Sequence, residues 1–221
     1  IREASGIMLE PLRKVPTDTI QVMKNLFTDP VAARKIVDNI DKFQEKIWGV
    51  ARIARSSGID ANVYRHLPED VIYKWWDYNN RELYIRQCKS VEFGAERMKS
   101  IKPLVNDIVK KADEALSTGR YAADLKFGHD YPLLSLASYL HLSGVGDVVS
   151  FDEIPTRWND PMNIPLASNL QIIFYRSKKS QDILVKFVYN DEERTIAGLE
   201  PVSGVYYKWN DVKNFVNDRR D

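Results

Sequence analysis

At 221 residues, 44% hydrophobic and 29% charged, the chain is long enough to bury a sizeable core and to divide into two domains. A formal net charge of +1 does not ask for nucleic acid or a bilayer as partner, and one cysteine, Cys88, excludes an internal disulfide framework. No apolar run is long enough to span a membrane, and the chain begins at Ile1 rather than Met, so its native N-terminus is expected to lie upstream.

Residues 1–19, with Pro11 and Pro16, are expected to be mostly irregular. A short helix is predicted from Asp18 to Phe27. Asp29-Pro30 is a good helix start. After it, Ile36, Ile40, Phe43, Ile47, Val50 and Ala54 mark one face of a long amphipathic helix, ended by Ser56-Ser57-Gly58. Pro68-Glu69-Asp70 opens another helix, its acids suited to the helix dipole. It carries Val71, Ile72, Trp75, Trp76 and Leu83, and tryptophans at this spacing belong to a core rather than to a ligand platform. A third long helix is predicted from near Ser100 and Pro103, with a stripe of Leu104, Val105, Ile108, Val109, Ala112 and Leu116, ending at Gly119.

After residue 120 the texture changes. In the run DLKFGHDYPLLSLASYL (124–140), Leu125 and Phe127 alternate with Asp124 and Lys126, the period-2 pattern of a half-buried strand. Gly128 breaks that pattern. From Tyr131 the apolar residues Leu133, Leu134, Leu136, Ala137 and Leu140 fall at helical spacing. Asp130 stands where the N-cap is expected, and Pro132 fits the first turn. His129 and Asp130 are thus placed where a strand hands over to a helix, an edge at which open α/β sheets bind ligands and helix N-termini favour anions. On spacing alone a plainer reading is also open: Asp130 closes a helix and His129 bonds a loop.

Downstream, 169–175 (NLQIIFY) and 183–189 (ILVKFVY) are predicted strands, joined by a polar turn over 176–181. Residues 193–196 add a short third strand, and Asn210 caps a final helix bearing Val212, Phe215 and Val216. Lys178-Lys179 and Asp191-Glu192-Glu193 are solvated turn residues. The order, helices to about 119 and strands with helices after, gives a mixed α/β (α+β) fold.

The run ADLKFGHDYPLLSLASYLHLSG (122–144) resembles the second catalytic motif of the histidine acid phosphatases, in the bacterial branch similar to multiple inositol-polyphosphate phosphatases and phytases. The later runs IPLASNLQIIFYRSKKSQDILVKFVYNDEE (164–193) and YYKWNDVKNFV (206–216) resemble the C-terminal end of that branch. The resemblance covers 122–216 well, and the earlier helices are compatible with the family's α-domain. It implies a helical α-domain portion over 1–99 and the C-terminal part of an α/β histidine-phosphatase domain over 100–221.

The resemblance also implies a reaction: hydrolysis of phosphomonoesters, inositol phosphates such as phytate among them, through a phosphohistidine. Such esters hydrolyse very slowly unaided, and a histidine nucleophile splits the reaction into two steps. By motif, His129 is the phosphate-binding second histidine and Asp130 the proton donor to the leaving alkoxide. Phosphate oxygens and partial burial would help Asp130 hold its proton. The resemblance places the enzyme outside the cytoplasm, periplasmic or secreted, and implies no cofactor. With three scattered histidines and one cysteine, no metal-ligand spacing appears.

The family's first motif, Arg-His-Gly-x-Arg-x-Pro with its nucleophilic histidine, is absent. Arg65-His66, in YRHLPED, has no following Gly and precedes a helix, so His66 is expected to be a surface or loop residue. His141, at the end of the helix begun near Tyr131, suits a helix C-terminus. Lys126 remains unassigned. The chain is therefore expected to be the C-terminal part of a longer enzyme, its partner being the missing N-terminal part. The alternatives are a non-catalytic phosphatase-fold binding domain or partner subunit, and an unrelated α/β domain in which Asp130 is a cap.

Overall fold

A computed structural model describes residues 1–217. In chain order the elements are α1 (Arg2–Arg13), α2 (Thr19–Leu26), α3 (Pro30–Ile36), α4 (Ile40–Ile53), a 3-10 turn (Val63–His66), α5 (Glu69–Gln87), α6 (Gly94–Thr118) and α7 (Asp130–Tyr139). A second 3-10 turn (Phe151–Glu153) leads into α8 (Ile154–Arg157) and α9 (Asp160–Asn163). Then come β1 (Leu170–Arg176), β2 (Ile183–Tyr189), β3 (Glu192–Arg194), β4 (Tyr207–Lys208) and α10 (Trp209–Asn217). The fold mixes helices with a small antiparallel sheet. The chain divides into two compact units, one from Arg2 to Glu82, the other made of Ile1 and the chain from Leu83 onward.

In the first unit, carboxylates and an amide set the helix starts. Asp18 accepts from the Gln21 N–H at 2.9 Å to begin α2, and Asp29 accepts from Val31 (3.1 Å) and Ala32 (2.9 Å) to begin α3. These bonds satisfy donors that a helix N-terminus leaves unpaired. The single long helix expected after Asp29-Pro30 is instead two. Asn39 accepts from the Lys42 N–H at 2.9 Å and restarts the helix as α4, so Ile36 falls off the apolar stripe and is 81% exposed. Residues 2–13, expected to be irregular, form α1: Leu9 is fully buried there, and Pro11 sits inside the helix near its end. Trp75 is buried, and the Arg13 guanidinium lies 4.4 Å from the Tyr78 ring centroid.

In the second unit, α6 starts at Gly94, ahead of the expected Ser100 and Pro103, because the buried stripe extends back through Val105, Ile101 and Met98. Pro103 lies within the helix. Gly119 ends it at φ +63°, a conformation that costs glycine little. β1 and β2 form the expected hairpin, running from the Leu170–Tyr189 pair to the Arg176–Ile183 pair. On the other edge of β2, β3 pairs near Phe187–Tyr189 and β4 pairs with Leu184 and Val185. The β2–β3 turn places Asn190 and Asp191 at φ +50° and +64°, the two positive values that a two-residue type I′ hairpin turn demands. The final helix starts at Trp209, one residue before the expected cap Asn210. Val185, Phe187, Tyr207, Val212, Val216, Leu134 and Leu140 are all buried in this unit.

Candidate active site

α7 begins one residue earlier than expected. His129, with φ −90° and ψ 167°, is the N-cap residue, and its side chain makes no capping bond. Asp130 is the first helical residue, and its Oδ1 accepts from the Tyr131 N–H at 2.9 Å. A carboxylate in the first turn suits the helix dipole. Both side chains are exposed, so the expected partial burial of Asp130 is absent.

The expected strand before this pair is also absent. Residues 123–129 carry neither helix nor paired strand, and Leu125 and Phe127 are 75% and 94% exposed. A strand exists only through a neighbour that takes up its backbone groups. None of the four strands of the described residues runs beside this segment, so the alternating pattern has nothing to pair with. His129 and Asp130 therefore do not lie at a sheet edge; they stand together at a helix N-terminus.

What fixes that N-terminus is the rest of α7. Leu134 to Tyr139 are buried, and the Tyr139 hydroxyl donates to the Val216 carbonyl at 3.0 Å. Fully buried Ser135 donates to the Gln87 carbonyl at 2.7 Å, and its Oγ accepts from Arg97 Nε at 2.8 Å. Burial lowers the Arg97 guanidinium pKa, yet an arginine stays charged in any case. Arg97 is a cation bonded to the helix that carries the candidate pair, which sequence reasoning did not single out. It stands 38 residues from Ser135, and no local spacing joins the two.

Lys126 faces α6. Its Nζ lies 2.6 Å from Asp107 and 3.4 Å from Asp124. The hydrogen bond with Asp107 raises the lysine pKa and lowers that of Asp107. His66 ends a 3-10 turn and accepts from Arg65 Nε at 3.0 Å. His141, just past α7 at φ +52°, meets the Phe215 ring edge-on, with centroids 6.1 Å apart. Neither is near Asp130 in sequence or on the same helix terminus.

A cavity of about 350 Å³ lies at the far end of α6, lined by Asp113, Arg176, Asp182, Lys208, Trp209 and Lys213 among others. Lys213 pairs with Asp113 at 3.1 Å and Lys208 with Asp182 at 2.9 Å, while Arg176 donates to the Leu116 carbonyl. No residue of 120–141 lines it. Among the described residues no group of three or more His, Cys, Asp or Glu side chains could hold a metal ion, and no helix is long and apolar enough to cross a membrane.

The fold is similar to that of Bifidobacterium longum multiple inositol polyphosphate phosphatase, solved in complex with inositol hexasulfate, at TM-score 0.69 and 18% identity over 80% of this chain. The apo form gives 0.67 at 16% identity, and the complex with phosphate 0.66 at 16%. The chain shares the fold of a phosphatase. It spans about two fifths of the length of those proteins, covering 39%, 39% and 40% of their chains. No family model matches the chain, and no curated protein matches it in sequence.

Proposed function

We propose that this chain is the C-terminal part of a histidine-type phosphomonoesterase that hydrolyses inositol phosphates or similar esters. The observation that carries the reading is the His129–Asp130 pair exposed at the N-terminus of α7, in a fold shared with a phosphatase solved with inositol hexasulfate and with phosphate. The N-terminal helices over 1–99 then belong to an α-domain, and the chain from 100 onward to the catalytic core.

In this reading a histidine outside the chain attacks phosphorus and the ester P–O bond breaks. His129 holds an oxygen of the transferring phosphoryl group, as a donor to charge that must be neutralised. Asp130 gives its proton to the leaving alkoxide. Water then attacks the phosphohistidine, Asp130 takes the proton back, and inorganic phosphate leaves. The N-terminus of α7 adds a favourable field for the anion. Such an enzyme would work outside the cytoplasm.

The absence of Arg-His-Gly-x-Arg from the sequence favours one other reading, a phosphatase-fold domain that binds or partners without catalysing. One experiment separates them. The full product of the reading frame that contains this sequence is assayed for phosphate release from inositol hexakisphosphate. Turnover that falls at least about 100-fold with His129→Ala supports the enzyme. A full product without turnover, or turnover indifferent to His129, overturns it.

A further inference from the structure

The cavity at the far end of α6 carries a charge pattern that the proposed hydrolysis does not use. Its volume of about 350 Å³ is that of a small-molecule site. Arg176, Lys208 and Lys213 line it on one side of the charge balance, Asp113 and Asp182 on the other. Both lysines are matched. Lys213 pairs with Asp113 at 3.1 Å, and the same carboxylate accepts from the Trp209 Nε1–H at 2.7 Å. Lys208 pairs with Asp182 at 2.9 Å. Arg176 is not matched. It is exposed, its guanidinium donates to the Leu116 carbonyl, and no carboxylate of the described residues pairs with it. The lining therefore keeps one uncompensated positive charge. That charge sits on the side chain whose planar fork of N–H donors fits a carboxylate with two parallel bonds. Leu116, Ile183 and Trp209 give the same cavity apolar lining.

We propose that this cavity binds a small organic acid, its one carboxylate on Arg176 and its apolar body against Leu116, Ile183 and Trp209. Charge decides the class of ligand. A monocarboxylate neutralises the single unmatched charge, whereas a phosphate dianion would add an uncompensated negative charge beside Asp113 and Asp182. A neutral molecule would leave the guanidinium without a counter-charge. Size decides the body, because a bare carboxylate fills only a small part of about 350 Å³. The bonds that already hold Lys208 and Lys213 stay in place, so binding needs no ion pair to open. No residue of 120–141 lines the cavity, and the proposal stands or falls without reference to hydrolysis.

The test titrates the 221-residue chain with phenylacetate and follows its backbone amide and indole N–H resonances at neutral pH. The expected result is saturable shifts at Arg176, Ile183 and the Trp209 indole. Acetate, which lacks the body, and benzyl alcohol, which lacks the charge, should each bind at least about tenfold more weakly. Arg176→Gln should weaken phenylacetate by at least about tenfold, the lower end of what a charged hydrogen bond is worth. Arg176→Lys, which keeps the charge and loses the fork, should fall between. That variant and the acetate and benzyl alcohol comparisons on the unaltered chain carry the test if Arg176→Gln does not fold. No saturable shift below about 10 mM overturns the proposal, as does an unchanged midpoint in the Arg176 variants. Shifts centred on His129 to Tyr131 overturn it too, because the ligand then sits at the candidate pair. Tighter binding of phenyl phosphate than of phenylacetate overturns the assignment to a carboxylate.

Discussion

The Arg97 side chain donates through Nε to the Oγ of Ser135 at 2.8 Å, tying α6 to the helix that carries His129 and Asp130. The same hydroxyl donates to the carbonyl of Gln87, the last residue of α5. Ser135 is fully buried, so its hydroxyl depends on these protein partners rather than on water, while Arg97 and Gln87 are half-buried.

Ser135→Ala should destabilise the chain by about 1 kcal/mol, the usual net worth of the hydrogen bonds it removes between half-buried partners. A lower urea midpoint at unchanged m-value is the expected signature. A midpoint shift within error would show that Arg97 and Gln87 find other partners, and that α7 is held by its apolar residues alone.

Alkaline pH should unfold the chain through Cys88. Burial pushes this thiol from its ordinary 9.0 up to about 12, against a smaller opposing effect of the Ser138 hydroxyl. The native state keeps its proton where the unfolded chain releases it. The stabilising contribution is therefore complete below about pH 9 and is lost as pH rises toward 12, by of order 1 kcal/mol per pH unit. The Tyr84 and Tyr189 hydroxyls, also raised by burial, act in the same direction from about pH 10 upward. Urea unfolding near pH 7, 9 and 10 should show the loss in the parent chain and a smaller one in Cys88→Ala. Parallel curves for the two would mean that the thiol is reached by solvent in the folded state.

The helix starts marked by Asp18 and Asp29 and the β1–β2 hairpin were legible in the sequence because each is decided locally. A carboxylate bonds an amide two or three residues on, and two alternating runs need only a turn between them. The break between α3 and α4 was not legible, because Ile36 and Ile40 satisfy a continuous helical period and only the Asn39 cap interrupts it. The alternation over 124–127 that predicts a strand is present in the sequence. What failed was the assumption of a neighbour, which no local spacing can supply. The one-residue shift at α7 moves Asp130 from the expected cap to the first helical position, where its carboxylate accepts from the adjacent Tyr131 N–H.

The 221-residue chain alone should not hydrolyse phosphate esters. It holds the candidate donor and phosphate ligand, while His66 sits in a 3-10 turn with Arg65 bonded to its ring. Incubation with inositol hexakisphosphate and with an aryl phosphate between about pH 4 and pH 7 should give no turnover above background. Turnover that disappears with His66→Ala would restore Arg65-His66 as a nucleophile motif.

Asp130 itself is tested in the full reading-frame product. Asp130→Asn keeps an oxygen that can accept from the Tyr131 N–H, whereas Asp130→Ala loses that exposed bond as well as the charge at the helix N-terminus, and each should cost no more than about 1 kcal/mol. If Asp130 is the proton donor, both substitutions should lower kcat on inositol phosphates by roughly 10²–10⁴, the usual worth of general acid–base catalysis. The loss should be much smaller on an aryl phosphate, whose leaving group departs without a proton. A rate that follows protein stability, with Asn and Ala harmless once the fold is intact, would reduce Asp130 to a helix-terminal charge. Equal losses on alkyl and aryl esters would also remove it as donor, because they report a misplaced phosphate rather than a missing proton.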